Sequence, residues 1–531
     1  MKYLFTLCIA VMLSWVLVPV SLASSTEFSD AVSELTSSKL KQRVTAVEKL
    51  IATQDPRLED LFQALLNSNL YYRKADKFVA IRVEKGTTIN VFDALSGDQI
   101  TDDGKWKKII INNAIRRDLR AVIANLQLSS DSVDKRLNAI EQILSQLDEE
   151  QIQPLENRLQ KEQEARVQQQ LGLTIAALKL KTGQGDTLSL LKQLEDNAHP
   201  SVRQVVAELV TSTDDKTIRT AATQTLEKMD DRIARYGHVE TLFFGLSLGS
   251  VLVLAAIGLA ITFGVMGVIN MAHGELIMLG AYTTYVVQLW LPNLIEYSLL
   301  IAIPLAFIVS ATVGILIERG VIRFLYGRPL ETLLATFGVS LILQQIVRSV
   351  FSPLNRAVET PEWMSGVWQV NEVLALTWNR LYIIIFSLLV FALLFVILKK
   401  TRLGLMVRAV SQNREMARAM GVRSSWVDAM TFGLGSGIAG VAGVALSQLT
   451  NVGPNLGQTY IIDSFMVVVF GGVGNLWGTL VAGLGLGVTN KLLEPWSGAV
   501  LAKILVLIFI ILFIQKRPKG LFPQKGRAAD N

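Results

Sequence analysis

The 531 residues hold only one cysteine and three histidines. The cysteine, Cys8, sits in an apolar N-terminal run. The chain beyond that run has no thiol, which excludes disulfides, metal–thiolate centres and cysteine nucleophiles there. No G-x-x-x-x-G-K-S/T occurs, so ATP is not held through a P-loop. No catalytic triad or metal-ligand cluster is evident, and nothing calls for a cofactor. Charge is scarce as well: 18% of residues are charged against 51% apolar, with a mean hydropathy of +0.40. Much of the +6 excess falls in short loops between apolar runs. Lys and Arg orient membrane segments there, so the excess does not signal nucleic acid.

What is present divides in two. Residues 24–238 are polar and charged, whereas residues 239–514 hold repeated apolar runs of about 20 residues, each long enough to span a bilayer. Ahead of both, Lys2 precedes an apolar run over 3–20, and Ser21 and Ala23 offer small residues before Ser24. That is the form of a secretory signal peptide over 1–23; an uncleaved anchor is the alternative.

The soluble stretch has helical periodicity at 40–51, 136–147 and 202–210. Three segments, beginning near 41, 134 and 201, each pair two short helices around an Asp-containing turn. Stacked pairs of this size suggest a HEAT-like solenoid. Residues 78–111 instead alternate apolar and polar positions with turn signals at Lys85-Gly86 and Ser96-Gly97, which predicts a small β insertion. His199, before Pro200, suits a helix cap better than catalysis, and Glu149, Glu150 and Gln151 suit a solvated turn.

The expected fold class is all-α: a polytopic helical membrane bundle of eight to nine apolar segments, preceded by a mainly helical, HEAT-like soluble domain with that β insertion. The candidate spans are 241–263, 268–290, 297–317, 331–351, 381–399, 428–448, 476–494 and 498–514, with a shorter piece at 461–473. Basic residues gather after the third span, after the fifth, and in the 515–531 tail, which makes these cytoplasmic. A secreted N-terminal domain then requires an odd number of crossings, so 461–473 crosses or nearly crosses.

Residues 264–282, GVMGVINMAHGELIMLGAY, interrupt the apolar half. Asn270, His273 and Glu275 stand within six positions, among Gly264, Gly267, Gly274 and Gly280. Irregular, polar backbone at membrane depth survives only where protein buries it or it lines a watery path. The substrate-pathway candidates are therefore Asn270, His273, Glu275, Gly267 and Gly274, with Glu275 either lining the path or holding His273. A second glycine element, Gly471 and Gly474 followed by Asn475, echoes the first, and paired interrupted segments point to a transporter's central site. Close helix packing is the other use of such glycines. Thr332, Thr336, Ser340 and Gln344 recur every four residues along one face of the fourth span. That face either lines a path for a small polar solute or bonds to neighbouring helices. Residues 408–420 are expected as one helix stopped by Gly421, with Val410, Met416, Ala417 and Met420 as its less polar positions. It either docks a cytoplasmic partner or lies on anionic lipid.

These segments are recognisable. The 264–282 stretch resembles the signature of ABC-transporter permeases of the branched-chain amino acid (LivH-like) type. "RAVSQNREMARAMGV" is similar to that family's cytoplasmic coupling helix, with Ala417 and Gly421 on its pattern and the Glu displaced to Glu415; Arg408 opens this stretch. "VVFGGVGNLWGTLVAG" resembles a third block. The long N-terminal extension is most like the urea-transport (UrtB-type) branch. The resemblance implies a permease subunit, not an enzyme, importing urea or a branched-chain amino acid. It also implies a homologous second permease, two cytoplasmic ATPase subunits, a periplasmic solute-binding protein and an inner-membrane location. A passive urea channel and a membrane-anchored scaffold are the alternatives of other classes.

Overall fold

The computed structural model describes residues 19–522 apart from positions 38, 54, 56, 86–87 and 103. The apolar run over 3–18, with Cys8, lies outside the described residues, as does most of the basic tail. The helix Pro19–Glu34 continues through the expected cleavage position after Ala23. The chain forms two compact units, 1–232 and 233–531.

The first unit is not all-α. Five short strands, β1 (Leu70–Arg73), β2 (Val79–Lys85), β3 (Thr88–Asp93), β4 (Gln99–Ile100) and β5 (Trp106–Lys108), form an antiparallel sheet in the order β4-β3-β2-β1-β5. The predicted insertion at 78–111 therefore starts too late. It misses β1, the strand that closes the sheet by pairing with both β2 and β5. Four residues directly after the helix Leu58–Leu66 are too short to show a period of two.

The predicted helices form as Leu40–Thr53, Val133–Gln146 and Pro200–Ser212. Their partners follow turns at Asp55, Asp148 and Asp215. The unit has two apolar cores. One gathers Phe28, Phe62 and Leu70 with the sheet; the other gathers Ile140, Leu171 and Val206. They meet on the helix Asn113–Leu128, where Ile115, Leu119 and Ile123 serve the first and Ala124 and Leu128 the second. His199 does cap its helix, accepting from the Ser201 N–H at Nδ1 (3.2 Å), while Nε2 meets Glu141 at 3.0 Å. Glu149–Gln151 is a 3-10 turn, and its Gln151 is buried rather than solvated.

In the second unit every predicted apolar run is helical over most of its length. Six helices among the described residues are long and apolar enough to cross a membrane. Two further apolar helices, His273–Trp290 with 18 residues and Leu456–Gly471 with 16, stand beside these six. His273–Trp290 begins five residues later than expected, because 267–272 is irregular. Leu456–Gly471 has 16 residues and is about 24 Å long at 1.5 Å per residue, short of a ~30 Å hydrocarbon core. The runs 476–494 and 498–514 form the path Leu476–Lys516, broken at Gly498 (φ 77°) after Pro495.

The helix Ser424–Ser447 is buried along almost its whole length. Its glycines set the spacing: Gly435 lies on Gly258, Gly440 on Gly280, and Gly443 on Ile277, backbone against backbone. Small residues permit this approach where lipid supplies no hydrophobic drive between helices.

Candidate functional site

The irregular link 267–272 joins two helices. Lys216–Met266 ends at Gly267, whose φ of 64° is left-handed and suits a residue without a side chain. Asn270, 1% exposed, accepts the Ala272 N–H at Oδ1 (3.0 Å), an Asx turn that starts the next helix. Its Nδ2 has no partner. The Met271 N–H donates to Thr336 Oγ1 (3.1 Å). A backbone donor freed by the break is thus satisfied by the fourth-span stripe, as buried backbone requires.

Three successive residues then reach three different helices. His273 is fully buried, and its Nε2 lies 2.8 Å from the Ala255 carbonyl on Lys216–Met266. Its ring packs where a Cβ on Gly258 would fall. Gly274 lies against the Gly457 backbone of Leu456–Gly471. Glu275, 1% exposed, accepts from Ser340 Oγ (3.0 Å) and Gln344 Nε2 (2.7 Å) on Pro329–Phe351, both at Oε1; Oε2 has no partner. Two residues on a helix are about 200° apart, so Glu275 faces away from His273 and does not hold it. The alternative in which Glu275 positions His273 is thereby corrected.

All four stripe residues, Thr332, Thr336, Ser340 and Gln344, are buried, and the last three meet the 270–275 break. Sequence spacing identified the stripe; only the fold identifies its partner. The two glycine elements also meet, because Gly264 rests on the Gly474 backbone. Asn475 caps Leu476–Lys516 by accepting the Gly478 N–H (3.2 Å) and donates Nδ2 to the Phe522 carbonyl (3.2 Å). It anchors residues 521–522, which also bond to Phe470 and Gly471, and does not join Asn270.

The predicted 408–420 helix is two helices, Arg402–Gln412 and Arg414–Ala419. Asn413 breaks it: its backbone is extended (φ −155°, ψ 103°) and its side chain accepts the Met416 N–H at 2.9 Å. An Asn that caps forward competes with helix continuation. Gly421 does stop the second helix, at φ 88°, and the Val422 N–H closes back on the Ala417 carbonyl (3.0 Å). Val410 and Ala417 are buried, whereas Met416 and Met420 are 60% and 81% exposed and present an apolar surface beside Glu415. Arg408 donates to the Leu398 carbonyl and borders a cleft of about 220 Å³ with Gly264, Phe395, Lys399, Ser411 and Leu476. The cleft joins Arg402–Gln412 to the end of Lys216–Met266. Sequence spacing missed two ion pairs, Arg414 with Asp428 and Lys503 with Asp463, whose members are 14 and 40 residues apart. Among the described residues no cluster of His, Cys, Asp and Glu is suited to a metal.

Residues 241–514 match the family model described as branched-chain amino acid transport system / permease component. A high-affinity branched-chain amino acid transport system permease protein, LivH of Salmonella typhimurium, is 30% identical over 293 residues, 53% of this chain and 94% of its own length. BraD of Pseudomonas aeruginosa, described in the same words, is 30% identical over 295 residues, covering 54% and 96%. A probable LivH of Methanocaldococcus jannaschii is 26% identical over 288 residues. No solved structure matches. These homologues are membrane permease subunits rather than enzymes. The chain belongs to the family of branched-chain amino acid transport system permease components.

Proposed function

We propose that residues 239–514 form the translocating subunit of an ATP-driven importer for branched-chain amino acids. The observation that carries this is the family match over 241–514, with relatives covered along 94% and 96% of their length. The chain has no P-loop of its own, so hydrolysis falls to two cytoplasmic ATPase subunits. A homologous second permease and a periplasmic solute-binding protein complete the machine, which sits in the inner membrane. The charge of the basic loops supports a cytoplasmic position for the 402–421 helices and the C-terminus, with the N-terminal unit outside. The exposed Met416 and Met420 face the ATPase, and closure of the ATPase pair moves the helices that bear them.

The solute passes at the 270–275 break. Asn270 Nδ2 and Glu275 Oε2 are the donor and acceptor left free there, and Thr336, Ser340 and Gln344 hold the break to its neighbour. His273 anchors the break to Lys216–Met266. Alternation between outward and inward openings changes what these groups meet.

Urea is a second reading. The observation that favours it is the N-terminal unit, which lies outside the 241–514 match. Uptake of radiolabelled leucine and urea in a deletion strain, with and without the restored gene, separates the two. Restoration of leucine uptake is the expected result. Restoration of urea uptake alone moves the chain to the urea branch, and restoration of neither overturns the importer reading.

A further inference from the structure

We propose that Arg414 is a positioning residue that ties the cytoplasmic helices, through Asp428, to the base of Ser424–Ser447, delivering their displacement to the 270–275 break. The proposal rests on the importer reading above.

Arg414 is the first residue of Arg414–Ala419, the helix that also carries the exposed Met416. Its guanidinium makes two parallel bonds to one carboxylate: Nη1 to Asp428 Oδ2 and Nη2 to Oδ1, both at 2.8 Å. The Asp428 side chain is 1% exposed and that of Arg414 27%. The guanidinium also lies over the Tyr326 ring, 4.7 Å from its centroid, just beyond the helix Ile295–Gly320. Arg418 adds a second tie, Nε to Ser424 Oγ at 2.7 Å. The short helix is thereby fastened to the bases of two spans.

The type of bond matters. Buried ion pairs contribute little to stability, since desolvation offsets much of the attraction, and an apolar pair would hold the helix as well. A bidentate guanidinium–carboxylate fork differs by resisting both sliding and rotation. Apolar contacts already surround it, with Val407, Val410, Ala417 and Val427 forming a small core. The ion pair adds direction to a contact that is otherwise free to slide.

The path onward is continuous. Asp428 sits in the first turns of Ser424–Ser447. That helix is seated through Gly443 on Ile277, about half a turn beyond Glu275, and through Gly440 on Gly280, about one and a half turns beyond it. Movement at the base of Ser424–Ser447 is therefore handed to the helix that carries Glu275, through backbone contacts that leave no slack.

The test uses the whole transporter, with its ATPases and binding protein, in proteoliposomes. Uptake of radiolabelled leucine, with urea in a parallel set, is measured beside ATP hydrolysis and co-purification of the ATPase. The variants are Arg414→Gln, Asp428→Asn, Arg414→Lys and the exchange Arg414→Asp with Asp428→Arg. In Arg414→Gln and Asp428→Asn, solute moved per ATP should fall roughly tenfold while hydrolysis and co-purification persist. Arg414→Lys, which keeps charge but loses the fork, should fall between these and wild type, and the exchange should recover part of the ratio. A ratio equal to wild type in the single variants overturns the proposal. So does parallel loss of uptake, hydrolysis and co-purification in every variant, which assigns the pair a purely structural role. A wild-type complex that imports neither solute overturns the importer reading, and the proposal with it.

Discussion

At position 273 the imidazole fills space between helices, and at position 275 the carboxyl faces a polar stripe. The two side chains leave the helix on opposite sides, so their variants should separate. His273→Ala removes a buried ring and its bond to the Ala255 carbonyl, and should destabilise the protein by about 2 kcal/mol or more. Thermal-shift measurement and membrane yield report that loss, with KM for the solute unchanged. Glu275→Gln keeps the shape, so yield should hold while uptake falls about tenfold, or about 1.4 kcal/mol. Equal loss of yield in both variants would remove the distinction. In the soluble unit, burial raises the Glu162 pKa, but the Glu164 N–H, Arg158, the Gln163 N–H and Arg136 outweigh it and hold the carboxyl below its usual range. Its contribution is present above the unfolded value of about 4.3 and is lost as pH falls through the lower folded value. Glu162→Gln should therefore destabilise the protein at pH 7 and flatten the acid side of its stability curve, as read by circular dichroism.

At the scale of elements, glycine seams hold the membrane unit together. The helix His273–Trp290 touches Ser424–Ser447 so closely at Gly280 that a Cβ there would overlap the Gly440 backbone. Neither backbone can yield without moving a whole helix. Gly280→Val should abolish accumulation of folded protein, and Gly280→Ala should lower its melting temperature. By contrast Gly338, with nothing near its Cβ position, should accept Ala without loss. Size-exclusion of detergent-extracted protein checks all three. If Gly280→Val accumulates like wild type, the seam is not what sets the helix spacing.

For the whole molecule, the division at 232/233 matters most. The relatives are matched almost end to end by about half of this chain, so the transport machinery resides in the membrane unit. Deleting residues 25–215 should leave ATP-driven uptake at saturating binding protein and weaken it when binding protein is limiting. That pattern identifies the N-terminal unit as a docking aid. Uptake and assembly indistinguishable from wild type at every concentration would remove that role.

The sequence by itself determined the membrane class, the apolar segments, the polar break, the stripe and the family. Each of these is a local or periodic pattern: length for spans, period four for the stripe, glycine beside Asn, His and Glu for the break. Only the tertiary structure decided what these patterns meet. It put Ser340 and Gln344 on Glu275, turned His273 toward Ala255, set Gly264 on Gly474, and joined Arg414 to Asp428. The strand β1 was hidden because four residues carry no period, and the break at Asn413 because a capping side chain outweighed a helical pattern on both sides. Contacts between helices far apart in sequence leave no mark in either segment alone, since each side needs only a small or polar residue, and packing chooses among many such pairs.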